Sequence, residues 1–134
     1  MIVVDSNVIA YCWVNGPRTA LAQRVRVKDP DWHVPILWRS EMRSILTGYL
    51  RDGSLTGPQV GRIMDAAESA LEGREHLVPS ALVFDIAGKS RLSAYDCEFI
   101  ALAYVLAAPL VTADRAVLKA FPEQAETMET FLRA

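Results

Sequence analysis

Short apolar runs alternate with apolar stripes at helical spacing along this chain. Ile2-Val3-Val4 is a β-branched run of the kind that forms a buried strand. After Asp5-Ser6-Asn7, the residues Val8, Ile9, Tyr11, Cys12 and Trp13 predict a short helix, broken at Gly16-Pro17. Pro17 suits the first turn of a second helix over 18–28, with Leu21, Val25 and Lys28 along one side. A second strand is expected at 33–36. A helix over 37–51 follows, with Met42, Ile45, Leu46, Tyr49 and Leu50 at helical spacing and Gly53 at its end. Thr56-Gly57-Pro58 opens a helix over 58–73, stopped by Gly73. A third strand at 76–79 and a helix over 81–90 come next. Ser93 begins an Ala- and Leu-rich helix over 94–107, and Pro109 leads a fourth strand at 110–112. Asp114 starts a helix to 120. In the tail, Ala125–Met128 fits an edge strand. Strand–helix alternation of this kind predicts an α/β fold with a mainly parallel sheet. No internal repeat, low-complexity segment or linker interrupts it, and 134 residues fit one domain, 1–134.

Composition narrows the class. An apolar content of 51% suits an ordinary globular core, and no apolar run is long enough to cross a bilayer. The N-terminus MIVVDSN has no basic region before its apolar run and carries an acid at position 5, so no signal peptide is expected and the cytoplasm is the predicted location. The two cysteines, Cys12 and Cys97, are too few for a disulfide framework and read as buried thiols. A net charge of −2 gives no global attraction to nucleic acid. Eleven of the fourteen basic residues are Arg, a bias that suits bidentate phosphate contacts and equally fits codon usage in a GC-rich genome.

Four acids stand where strands give way to helices. Asp5 follows the first strand, Glu41 comes just after the second, Asp96 opens the Phe99–Leu102 run and Asp114 follows the fourth strand. In a parallel sheet those junctions share one edge, the edge where ligands bind. Each acid also has a plainer reading. Asp5 and Asp114 can cap helices. Glu41 can pair with Arg39 or Arg43, or sit at the helix start where the dipole favours it. Ser93-Ala94-Tyr95-Asp96 fits a capping pattern. Capping alone does not explain all four, because Glu41 is not a cap. Carboxylates brought together repel unless a cation neutralises them, and hard divalent cations take oxygen ligands. Asn7 adds a second oxygen-bearing group beside Asp5, and Thr112 can hydrogen-bond Asp114 or a phosphate. Asp65, Glu68, Glu72, Glu123, Glu126 and Glu129 read as solvated surface. His33 and His76 offer no zinc-ligand spacing, and neither GxxxxGK[ST] nor GxGxxG occurs.

The ordered set VVDSNV, VPILWRSEMRSIL, SAYDCEFIALA and LVTAD resembles the PIN domain, and the short form of the chain resembles the toxin ribonucleases of VapBC pairs. The resemblance spans residues 2 to 121. It implies a three-layer fold, with a mainly parallel sheet between helices on both faces. It implies an acidic site for Mg²⁺ or Mn²⁺, matching Asp5, Glu41, Asp96 and Asp114, with Asn7 and Thr112 in support. It also implies a homodimer, an RNA substrate and a cognate antitoxin. On that reading Asp5, Asp96 and Asp114 hold the metal, Glu41 completes its shell or serves a second ion, and Arg39, Arg43, Arg91 and Arg115 are candidates for gripping the RNA backbone. The rivals are a PIN nuclease of RNA maturation, a PIN-like scaffold with a silent site, and an aspartate-phosphorylating phosphatase or receiver. The phosphatase pattern wants an acid where Asn7 stands, and Lys119 is out of register for a receiver.

Overall fold

Ile2, Val3 and Val4 are enclosed on both faces, which places their strand in the middle of a sheet. The computed structural model describes residues 1–134. Its five strands are β1 (Ile2–Val4), β2 (Trp32–Pro35), β3 (Glu75–His76), β4 (Leu110–Val111) and β5 (Ala125–Glu126). They form one sheet in the order β3-β2-β1-β4-β5, and every pairing is parallel. The order is not that of a receiver domain, which runs 2-1-3-4-5. The two edge strands have only two residues each, a length that discourages edge-to-edge pairing.

Eight helices surround the sheet: α1 (Ser6–Trp13), α2 (Thr19–Lys28), α3 (Trp38–Arg51), α4 (Gly57–Ala70), α5 (Ser80–Gly88), α6 (Ala94–Leu106), α7 (Arg115–Ala120) and α8 (Met128–Arg133). α6 is apolar nearly all round, packs on β1, β2 and β4, and is backed by α5. α1 packs against α2, α3 and α4, and α2 against α8. Helices therefore cover both faces, and the sheet is wholly rather than mainly parallel. Trp32, Trp38, Met42, Leu46, Ile100 and Leu102 are among the core side chains, each contributing about 1.5–3 kcal/mol by burial.

Element ends follow local chemistry. Thr56 and Gln59 form a capping box at the start of α4. α4 stops at Ala70, before the expected 73, and Gly73 takes a positive φ of 77° in the turn beyond. The third strand is shorter than the expected 76–79 and begins one residue earlier. Leu77 is 86% exposed, and Pro79 already serves as the N-cap residue of α5. The tail holds a strand at 125–126 and then a helix, α8, capped by Thr127, which the sequence pattern did not reveal.

Candidate functional site

β1 and β4 are neighbours with Val4 opposite Val111, so Asp5 and Thr112 leave the sheet side by side. The Thr112 hydroxyl donates to Asp5 Oδ2 and accepts from the Asp114 amide at 3.0 Å. Asp5 Oδ1 accepts from the Val8 amide at 2.9 Å and so caps α1. Asp114 caps α7, its Oδ1 accepting from the Ala116 and Val117 amides at 2.8 and 3.3 Å. One buried hydroxyl thus joins two acids that lie more than a hundred residues apart in the chain.

α6 and α3 bring the other two. Ser93 caps α6 by accepting from the Asp96 amide at 3.1 Å, but the reciprocal bond that would complete a capping box is not made. Glu41 sits in the first turn of α3, where its Oε1 accepts from the Ser6 hydroxyl at 2.8 Å. Ser6 is buried, and the sequence reading passed over it, although it lies between Asp5 and Asn7. Asp5, Glu41, Asp96 and Asp114 all line one pocket of about 270 Å³, together with Asn7, Thr112, Ser6 and Ser44. Ile45, Phe99, Leu110 and Val117 form its apolar wall, and no Lys, Arg or His lines it.

The electrostatics follow from that lining. Burial raises the pKa of Asp5 against the hydrogen bonds from Thr112 and Val8, and the charge of Asp114 adds to the rise. Burial also raises Glu41, with Asp96 and Asp5 as like-charged neighbours, and raises Asp96, with Asp114 beside it. Glu98, which the sequence reading did not single out, adds negative charge near Glu41. Oxygen donors with uncompensated negative charge suit a hard divalent cation. As the side chains stand, no group of three or more His, Cys, Asp or Glu residues closes around a point as metal ligands would. Asp5 and Asp114 each spend an oxygen on a helix cap, and Glu41 is tied to Ser6. The donor chemistry of the pocket fits a divalent ion.

The arginines divide. Arg39 does not line the pocket. Its Nε and Nη2 fork Glu75 at 2.6 and 2.7 Å, and its Nη1 meets Glu68 at 2.5 Å, while Trp38 Nε1 donates to the same Glu75 at 2.7 Å. With its guanidinium so engaged, Arg39 ties α3 to α4 and β3. Arg43 and Arg91 are exposed and unpaired. Arg115 is exposed at the start of α7 and lines a groove whose lining shares Thr112 with that of the acidic pocket. Two acids read as solvated surface hold arginines instead, Glu68 with Arg39 and Glu129 with Arg18. The histidines, far apart in sequence, meet across β2 and β3: His33 Nδ1 lies 2.8 Å from His76 Nε2, and His33 Nε2 lies 2.8 Å from Asp31 Oδ1, which also accepts from Arg74 Nε at 3.0 Å. That chain pins a sheet edge and contributes nothing to the acidic pocket. Cys12 and Cys97 are both buried free thiols.

A family model described as the PIN domain matches residues 2–123. A curated relative from Pyrobaculum aerophilum, named Ribonuclease VapC3, is 26% identical over 124 residues, covering 90% of this chain and 95% of the relative. The crystal structure of PAE2754 from Pyrobaculum aerophilum is similar with a TM-score of 0.78 and 20% identity, over 98% of this chain and 93% of that one. That of FitAcB from Neisseria gonorrhoeae is similar with a TM-score of 0.76 and 17% identity, over 96% and 99%. At such identities the two structures speak for the fold alone.

Proposed function

The chain belongs to the PIN-domain family, and on that premise we propose that it is a divalent-metal-dependent endoribonuclease, the toxin of a type II toxin–antitoxin pair. The observation that carries this reading is the pocket lined by four carboxylates and no cation. The name of the curated relative, a ribonuclease, supports it. A homodimer, a cognate antitoxin and action in the cytoplasm belong to the same proposal, as does the reading of residues 1–134 as a single domain.

Asp5, Asp96 and Asp114 would hold Mg²⁺ or Mn²⁺, with Glu41 at the margin of the shell or serving a second ion. When bound, such an ion polarises the phosphodiester, acidifies a water and neutralises developing charge. The chain's own residues prepare for that chemistry. Thr112 orients Asp5 from one side and the Val8 amide from the other. Ser6 holds Glu41 Oε1 and leaves Oε2 without a partner. Oε2 would accept the proton of a water that attacks phosphorus in line as the P–O3′ bond breaks, and the leaving 3′-oxygen would take a proton from solvent, giving a 3′-hydroxyl and a 5′-phosphate. Phe99 and Ile45 limit bulk water at the wall. Thr112 and Asn7 add neutral polar groups that tolerate a phosphate oxygen nearby.

The test is cleavage of end-labelled tRNA and rRNA with Mg²⁺, with a chelator control and with Asp96→Asn. The parent should cut only with the metal, and the Asn variant should not cut. Equal cleavage by the chelated parent or by Asp96→Asn would sink the reading.

A further inference from the structure

A pocket lined by four carboxylates repels the polyanion it is proposed to cut, so cations must meet the strand just outside it. Arg39 is consumed by Glu68 and Glu75. Two other arginines line a neighbouring groove and not the pocket itself. Arg115 directly follows Asp114, and Arg18 lines the same groove of about 330 Å³, whose lining shares the buried Thr112 with that of the acidic pocket. We propose that the RNA strand leaves the acidic pocket along this groove, where Arg18 and Arg115 hold the phosphate that flanks the cleaved one and Arg18 acts as a positioning residue. The proposal rests on the nuclease reading above.

The two cations are complementary in build. The Arg18 guanidinium lies over the Tyr11 ring at 5.3 Å and is tethered through Nη2 to Glu129 Oε1 at 2.9 Å. Its Nη1 makes no hydrogen bond, and its Nε is buried without an acceptor. Stacking and tether fix the plane of the fork before any ligand arrives, which lowers the entropy cost of binding. The tether is weak, because Arg18 and Glu129 are 41% and 42% exposed, and an exposed pair of this kind yields readily to a phosphate. Arg115 makes no ion pair at all and can swing to the same anion. Arg39 shows the contrast, since its Nε, Nη1 and Nη2 are all bonded to carboxylates.

A second groove continues the surface. It shares Tyr11 and Arg18 with the first and Asn7 and Ile45 with the acidic pocket, and Tyr49 lines it. Tyr49 gives an unpaired base a face to stack on. A concave track with stacking faces suits a single strand, whereas an A-form duplex keeps its bases stacked inside the helix.

The test is steady-state cleavage of a short single-stranded RNA, with KM and kcat followed as salt is raised. Arg18→Ala should raise KM about tenfold, the worth of one charge-assisted hydrogen bond, and leave kcat near the parent value. The slope of log KM against log salt should fall by roughly 0.7 for each phosphate no longer neutralised. Arg115→Ala should act in the same direction, and Arg18→Lys should recover part of the loss. Arg62→Ala, at an exposed site on α4, is the control and should change neither constant. Melting curves show that each variant is folded. Parental KM and salt slope in folded Arg18→Ala and Arg115→Ala would overturn the proposal and leave the groove to a protein partner. Equal use of the matching duplex, with the same sensitivity to Arg18, would overturn the single-strand claim. A parent that neither binds nor cuts RNA fails earlier, on the nuclease reading itself, so the two failures are told apart.

Discussion

Thr112 offers a sharp check on the energetics of the site, because Val is close to Thr in shape and lacks only the hydroxyl. Thr112 is 1% exposed, so nothing else replaces what that hydroxyl does. It donates to Asp5 Oδ2 and accepts from the Asp114 amide. A hydrogen bond to a charged group contributes about 1.5–3 kcal/mol, and an amide left unsatisfied costs about 1–3 kcal/mol. Asp114 is only half-buried, so water recovers part of the second loss. The expected destabilisation of Thr112→Val is about 3 kcal/mol, a fall in Tm of roughly 9–15 °C for a chain of this size. Thr112→Ser keeps the hydroxyl, loses one methyl and should cost about 1 kcal/mol. The order at neutral pH is then parent, Ser, Val. If the interior valued only shape and apolar area, the order would be Val, parent, Ser. The Thr112 bond lowers the pKa of Asp5 by favouring its ionised form, so its loss matters most while Asp5 is charged. The Val penalty should shrink as pH falls and Asp5 takes up a proton. Urea or thermal unfolding of the three proteins in chelator, at neutral and acid pH, reads both effects. A Val variant that melts with the parent at neutral pH, or above Ser, refutes the assignment.

Three further outcomes follow from the same geometry. Asp96→Asn should raise the stability of the chelated protein by about 1 kcal/mol at neutral pH while abolishing cleavage. Burial and the neighbouring Asp114 raise the pKa of Asp96 on folding, so the acid costs stability as pH rises above its unfolded value; the Asn advantage should vanish in acid, and an advantage independent of pH contradicts it. Mg²⁺ or Mn²⁺ at a hundredfold excess over its Kd should add about 2.7 kcal/mol to the parent and almost nothing to Asp5→Asn; equal thermal shifts in the two would remove Asp5 from the ligand set. Arg39→Met should destabilise by about 2 kcal/mol, because it strands Glu75 at 16% exposure, and should leave the salt dependence of RNA binding unchanged. A reduced salt slope without loss of stability would return Arg39 to the substrate.

The parts of the fold legible in the sequence were those set by local rules. Ile2-Val3-Val4 read as a buried strand because β-branched residues without alternation need cover on both faces, and the structure encloses all three. α3 and α6 were legible from apolar period and from breakers at their ends. β3 was misplaced because a two-residue edge strand leaves no periodic trace, and Leu77, apolar in sequence, points to solvent. α8 escaped notice because Thr127 and Met128, its cap and first residue, fit the end of an edge strand over 125–128. Pairings between distant residues were the least legible. Nothing local distinguishes Arg39, tied to Glu75, from Arg115, free in its groove. His33 and His76 meet only because β2 and β3 are neighbours.

The acids show why capping and chemistry are not competing explanations. At the end of a parallel strand the chain must turn into a helix whose first amides lack partners. An Asp there satisfies one of them, as Asp5 does for Val8 and Asp114 for Ala116, and each carboxylate keeps acceptor capacity on its other oxygen. Strand order does the rest, because β1 and β4 are adjacent and their two caps open on the same pocket. Like charges gathered in one pocket repel one another. A bound divalent ion reverses the sign of that force, since each charge that opposed the others then attracts the metal. Burial is the main cause of the raised pKa values of Asp5, Glu41 and Asp96, and the like charges beside them add to it. A bound divalent ion should lower all three by favouring the ionised form.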